Sequence, residues 1–137
     1  MALICDTGPL LAALNRRDPA HTACAELVLQ TKEDLLVPTL ALTELDYFCG
    51  EIGLHDAWLA FLEDVDAGVW RLEHPTAADM RRARELQSDY HDLAIGVVDA
   101  SIIALCERLG EAKLATLDRR HFATVRPRHV DALRLVP

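Results

Sequence analysis

The sequence is short of several things, and each shortage narrows what the protein can be. No apolar run reaches the ~18 residues that a membrane-crossing helix needs. The start, Met1-Ala2-Leu3-Ile4-Cys5-Asp6, meets an acid with no basic stretch before it, so no secretory leader is expected. Cys5, Cys24, Cys49 and Cys106 are scattered and form no Cys-x-x-Cys pair. They read as reduced, buried thiols of a cytoplasmic protein, not as a disulfide framework or a zinc site. There is no G-x-x-x-x-G-K-[ST] phosphate loop and no visible Ser-His-Asp arrangement. No internal repeat, linker or low-complexity segment is present. Basic residues are also in deficit: 14 Lys and Arg stand against 22 Asp and Glu, a formal net charge of -8. That balance argues against loose nucleic-acid binding through a general basic surface. It leaves room for a nuclease, because metal-binding acids contribute heavily to the sum.

A chain of 137 residues that is 51% hydrophobic can build one real core, which predicts a single domain over 1–137. Ala2-Leu3-Ile4-Cys5 is a short apolar run suited to a buried strand, ended by Asp6-Thr7-Gly8-Pro9. A short helix over Leu10–Leu14 and a second over Ala20–Thr31 follow. Leu35–Val37 is a strand closed by Pro38. Thr39 is a candidate N-cap for a helix whose packing face is Leu42, Leu45, Phe48 and Cys49. Leu54–Val65 is a helix with Trp58, Leu59, Leu62 and Val65 inward, and Val69–Leu72 a strand. Thr76-Ala77-Ala78-Asp79 has the pattern of a capping box. Lys113–Leu117 and Ala132–Val136 are further strands, with one helical turn expected around His121-Phe122. Alternating strands and helices predict a three-layer α/β/α domain with a mainly parallel central sheet.

The chemistry is carried by acids. Ile95 to Cys106 reads as the start of a buried helix, with Val98, Ile102, Leu105, Cys106 and Leu109 as its apolar face. Asp99 sits on its first turn among aliphatic residues. A buried lone carboxylate is costly unless it is paired or binds a cation. Asp6 follows the first strand, Asp118 follows the Lys113–Leu117 strand, and Glu44 lies on the helix after the second strand. In parallel sheets, ligands bind at the carboxyl ends of the strands. Four carboxylates converging there form an all-oxygen ligand set suited to Mg²⁺ or Mn²⁺. Such ions activate water and stabilise the oxygens of an in-line displacement at phosphorus, so the matching reaction is phosphodiester hydrolysis. Each acid alone has a plainer reading: Asp6 as a turn residue, Glu44 as a solvated helix residue, Asp118 as a cap. Thr7 and Thr116 place hydroxyls beside the strand-end acids, and Asp92 is a loop acid that either supports the site or caps a turn. The six histidines show no ligand spacing and read as surface residues.

Four stretches in this order resemble the PIN-domain ribonucleases, in particular the VapC toxins of toxin–antitoxin pairs. They are Ile4-Cys5-Asp6-Thr7-Gly8-Pro9-Leu10, Leu42-Thr43-Glu44-Leu45, Asp92 through Ser101, and Ala115-Thr116-Leu117-Asp118-Arg119-Arg120-His121-Phe122. The resemblance spans nearly the whole chain. It implies that Asp6, Glu44, Asp99 and Asp118 are catalytic and bind the metal, with Thr7, Asp92 and Thr116 beside them. It further implies Mg²⁺- or Mn²⁺-dependent endonucleolytic cleavage of structured RNA, a transfer RNA or a ribosomal RNA loop. The partners it implies are a VapB-type antitoxin whose C-terminal arm wraps the toxin, and a second copy in a homodimer. RNA then has to be held outside the acidic pocket, and Arg16, Arg17, Arg119 and Arg120 are the candidates for phosphate contacts, with Arg126 and Arg128 behind them. Two alternatives compete. One is a non-catalytic PIN-like module that binds a metal or a partner. The other is a phosphatase or phosphotransfer receiver, disfavoured because Asp6-Thr7-Gly8 lacks the Asp-x-Asp that the phosphatase needs.

Overall fold

The computed structural model describes residues 1–137. Five strands form one sheet: β1 (Ala2–Cys5), β2 (Asp34–Pro38), β3 (Arg71–Glu73), β4 (Lys113–Ala115) and β5 (Arg134–Val136). Every neighbouring pair is parallel, in the order β3-β2-β1-β4-β5. The helices are α1 (Thr7–Leu14), α2 (His21–Gln30), α3 (Thr39–Glu51), α4 (His55–Asp66), α5 (Ala77–Asp89), α6 (Val97–Leu109) and α7 (Arg119–Thr124), with a 3₁₀ turn over His91–Leu93. No helix is long and apolar enough to cross a membrane.

Both faces of the sheet are covered, which is why β1 is apolar at every position and buried throughout. Ile4, Leu36 and Leu114 pack on one side with Leu86, Ile102, Ile103 and Phe122. Leu3, Cys5, Val37 and Ala115 pack on the other with Leu10, Leu45, Phe61 and Trp70. Successive strand residues point to opposite faces, so β1, β2, β4 and β5 each serve both cores, and β3 adds Leu72 to the second. The expected three-layer architecture is therefore present, and the sheet is wholly parallel. The four cysteines are free and buried.

Several local expectations shift. The first helix begins at Thr7, three residues before the expected Leu10. Asp6 caps it by accepting from the Thr7 N–H at 2.8 Å, and Pro9 falls in the first turn, where a missing N–H breaks no helical bond. Thr39 is already helical; its hydroxyl donates to the Glu73 carbonyl at 3.0 Å and ties α3 to the end of β3. In α4 the fully buried residue is Phe61, stacked on Trp58 and tilted against Trp70; Trp58 and Val65 pack on the core as expected, while Leu59 and Leu62 stay exposed. In α3 the buried set is Ala41, Leu45 and Cys49, and Phe48 is exposed, edge-on to Tyr47. The last helical turn extends to six residues in α7, and β4 stops at Ala115, so Thr116 and Leu117 lie beyond the strand.

The helix α6 is not a one-stripe amphipath. It is buried without interruption from Ala100 to Cys106, because it lies between the sheet and α5. Small residues at Ala100, Ser101 and Ala104 suit that close fit. Arg82 on α5 clasps Glu107 on α6 through Nε at 2.9 Å and Nη2 at 3.0 Å. Arg108 Nε donates to both oxygens of Asp79, the capping-box acid of α5, while its Nη2 donates to Glu73 at 3.1 Å. These bonds fix the axial position of α6, and hence of the residue on its first turn.

Candidate metal centre

Asp6, Glu44, Asp99 and Asp118 come together at the carboxyl end of the sheet, beside the boundary between β1 and β4. Chain direction reverses its lateral course there: β2 and β3 lie on one side of β1, β4 and β5 on the other. That boundary is where a doubly wound sheet opens a crevice.

The four acids are joined by one string of contacts. The Thr7 hydroxyl donates to Glu44 Oε1 at 2.7 Å. The Thr7 N–H donates to Asp6 Oδ1 at 2.8 Å. Asp6 Oδ2 accepts from the Thr116 hydroxyl at 2.8 Å, and that same hydroxyl oxygen accepts from the Asp118 N–H at 3.0 Å. Asp118 Oδ2 lies 2.8 Å from His121 Nδ1, which lies 3.0 Å from Asp99 Oδ2. Thr7 and Thr116 are buried and hold the acids from behind. The Asp118 side chain also accepts from the His121 N–H at 3.0 Å and so caps α7.

No lysine or arginine pairs with any of the four acids; the His121 ring is the one basic side chain in contact with them. The electrostatic consequence is large. Burial pushes the Asp6 carboxyl up from 3.8 to about 6, against the bonds from Thr116 and Thr7, with the Asp99 and Glu44 charges adding to the rise. Asp99 is raised as well, first by burial, then by the Asp118 and Glu44 charges, and His121 offsets part of it. Asp6, buried, and Asp99, half-buried, both have their charged forms disfavoured, and with further acids facing them they form a site short of positive charge. An oxygen-rich, negatively charged cluster of this kind fits a divalent cation, and the donor set here passes that test.

Two sequence expectations change. His121 is not a surface residue but part of the cluster, and Asp99, Asp118 and His121 can share one ion. The signal was the Asp118-Arg119-Arg120-His121 spacing, since residues three apart share a helix face. Two further rings are also partly buried: His21 Nδ1 meets the Ala12 carbonyl and His129 Nε2 the Glu111 carbonyl. Asp92 is exposed on the 3₁₀ turn and bonds to none of the four acids. Arg16, Arg17, Arg119 and Arg120 are exposed. Arg128 is engaged with Glu85 at 2.7 Å, which weakens it as a phosphate contact.

The family model for the PIN domain matches residues 3–126. Ribonuclease VapC26 of Mycobacterium tuberculosis is 36% identical over 126 residues, spanning 91% of this chain and 93% of the relative. The solved structure of M. tuberculosis VapC20, described as a sarcin–ricin loop cleaving toxin, superposes with a TM-score of 0.80 at 21% identity, over 95% of this chain and 99% of that one. VapBC2 of Rickettsia felis, bound to a DNA fragment from its promoter, gives a TM-score of 0.70 at 18% identity over the full length of both chains. At such identities these two structures establish the fold. Taken with the family match and the curated relative, they place the chain: it belongs to the PIN-domain family, among the VapC ribonucleases.

Proposed function

We propose that the protein is the toxin of a toxin–antitoxin pair, a metal-dependent endoribonuclease that hydrolyses phosphodiester bonds in structured RNA. The whole chain, 1–137, acts as a single PIN domain in the cytoplasm. The observation that carries this reading is the joined string of Asp6, Glu44, Asp99 and Asp118, which has no basic partner other than His121. All four acids are present, which favours turnover over a non-catalytic binding module. Mg²⁺ or Mn²⁺ held by these carboxylates supplies water activation and charge stabilisation at phosphorus.

The chain's own residues do the positioning. Thr116 and Thr7 fix the Asp6 carboxylate from two directions, so its oxygens need no reorganisation when the site fills. The helix α6, buried on all sides, holds Asp99 at the crevice. Arg119 and Arg120 lie on the first turn of α7, directly after Asp118, and steer phosphates towards the acids. Arg16 and Arg17 lie in the loop after α1, about 12 Å along that eight-residue helix from Asp6. They contact RNA farther from the cut. These arginines offset the net charge of -8 locally, because steering depends on the field at the site and not on the total.

The VapB-type antitoxin is proposed to lay its arm into the apolar groove formed by Leu10, Leu14, Val28, Phe61 and Trp70. A homodimer would cover exposed Tyr47 and Phe48 on α3, Ile52 just after it, and Leu59 and Leu62 on α4. VapC20 is described as cleaving the sarcin–ricin loop, which makes a ribosomal RNA loop one candidate target beside transfer RNA. The test is sequencing of RNA 5′ ends after brief expression of the wild type and of Asp99→Asn. New ends that appear in the wild type alone are expected; an unchanged profile refutes the nuclease reading.

A further inference from the structure

One member of the cluster is not an acid. His121 Nδ1 stands 2.8 Å from Asp118 Oδ2 and 3.0 Å from Asp99 Oδ2. Its contact with Asp99 has hydrogen-bond geometry, and an ionised carboxylate only accepts, so without an ion between them Nδ1–H donates to Asp99, and a cation seated there would take that proton's place. In an octahedral shell with bonds of about 2.1 Å, adjacent donors stand about 3.0 Å apart. The two nitrogen–oxygen separations are those of neighbouring corners of such a shell.

The fold sets the place of this ring. The backbone N–H of His121 bonds to Asp118 Oδ1, and the next residue, Phe122, is anchored in the core. The other histidines lie elsewhere: His21 and His129 bond to carbonyls, and His74 bonds to Thr39.

We infer that His121 is a nitrogen ligand of the cation held by Asp99 and Asp118, which makes this side of the site a mixed nitrogen–oxygen set that selects Mn²⁺ over Mg²⁺. The inference rests on the proposal that these acids hold the catalytic cation, and it narrows which cation that is. Mg²⁺ is a hard ion that keeps oxygen and water ligands, whereas imidazole nitrogen suits first-row transition ions. The ring binds in its neutral form through the Nδ1 lone pair, with its proton on Nε2.

The test loads metal-free protein with Mn²⁺ and records its electron spin-echo envelope modulation. A nitrogen coupling that changes on ¹⁵N-histidine labelling is expected in the wild type, and its loss in His121→Gln. By calorimetry, the same variant is expected to lose about tenfold in Mn²⁺ affinity while Mg²⁺ affinity moves by no more than about twofold. The wild-type spectrum decides the matter even if the variant folds poorly: no histidine coupling overturns the inference. So does a His121→Gln that binds Mn²⁺ unchanged, or one that binds both ions more tightly, which would make the ring an occupant expelled by the ion. RNA cleavage on the same samples keeps the two readings apart. Cleavage without nitrogen coupling refutes the ligand alone, and coupling without cleavage of any RNA refutes the nuclease alone.

Discussion

Replacing Asp6 by asparagine removes the most strained charge in the molecule while keeping its shape, and the sign of the effect on stability depends on whether metal is present. The folded carboxyl holds its proton up to about pH 6, whereas the unfolded one releases it near 3.8. Folding is therefore favoured by this group below pH 4, and that advantage is lost as the pH rises through 6. At about 1.4 kcal/mol per pH unit, the rise from 3.8 to about 6 costs the metal-free wild type roughly 3 kcal/mol at neutral pH. Asparagine carries no such cost. Its Oδ1 still accepts from the Thr7 N–H, and its amide can donate to the Thr116 hydroxyl oxygen, so both contacts survive in altered form. Imperfect geometry in the second takes back part of the gain, leaving about 1–3 kcal/mol, or about 3–12 °C in Tm for a chain of this size. With Mn²⁺ at a hundredfold excess over Kd, the wild type gains about 2.7 kcal/mol and the variant, lacking a ligand, gains much less. Thermal unfolding in EDTA and in Mn²⁺, at pH 4 and pH 7.5, measures all four corners. Asp6→Asn is expected to melt higher than the wild type in EDTA at pH 7.5, to match it or melt slightly lower at pH 4, and to lose its lead when Mn²⁺ is added. A variant that melts lower in EDTA at pH 7.5, or that responds to Mn²⁺ as the wild type does, refutes the account of Asp6 as a buried charge awaiting a cation.

Thr116→Val keeps the volume but removes the hydroxyl that orients Asp6 and meets the Asp118 N–H; Mn²⁺ affinity is expected to fall about tenfold or more, measured by calorimetry. Asp92→Asn is expected to leave that affinity within about twofold, because Asp92 bonds to none of the acids; a tenfold loss would return it to the site. Phe61→Ala should cost about 3–5 kcal/mol in urea unfolding, and Leu62→Ala one turn-face away under about 1 kcal/mol, reversing the order read from the sequence. Arg82→Ala breaks the partly shielded clasp to Glu107 and should cost about 2–3 kcal/mol, whereas Arg71→Ala at the open pair with Asp34 should cost under about 0.5 kcal/mol by the same measurement.

The acids were legible in the sequence because each breaks a local pattern: Asp6 and Asp118 end apolar strands, and Asp99 interrupts an aliphatic helix. The sheet was legible for the same reason, since short apolar runs alternating with helices leave few other arrangements. What the sequence hid was rotation. In α4, Trp58 with either Leu62 or Phe61 completes a plausible face, and only the position of Trp70 decides for Phe61. In α6, burial on all sides erases the stripe that periodicity looks for. His121 was missed because a ligand search by spacing among histidines finds nothing. Its partners are carboxylates, one of them 22 positions upstream.

The pairing of β1 with β4 has a consequence in time. Asp6 is synthesised 110 positions before the Thr116 hydroxyl that orients it. Such a contact closes a long loop and forms late relative to local helices. β1 stands in the middle of the sheet with its β4 edge unfilled until β4 itself has been made. The fragments that precede β4 carry Asp6, Glu44 and even Asp99, but not the wall that brings them to a common point. For a protein proposed to cut the RNA of its own translation machinery, this order of assembly withholds the geometry of the acidic site until β4 has paired with β1.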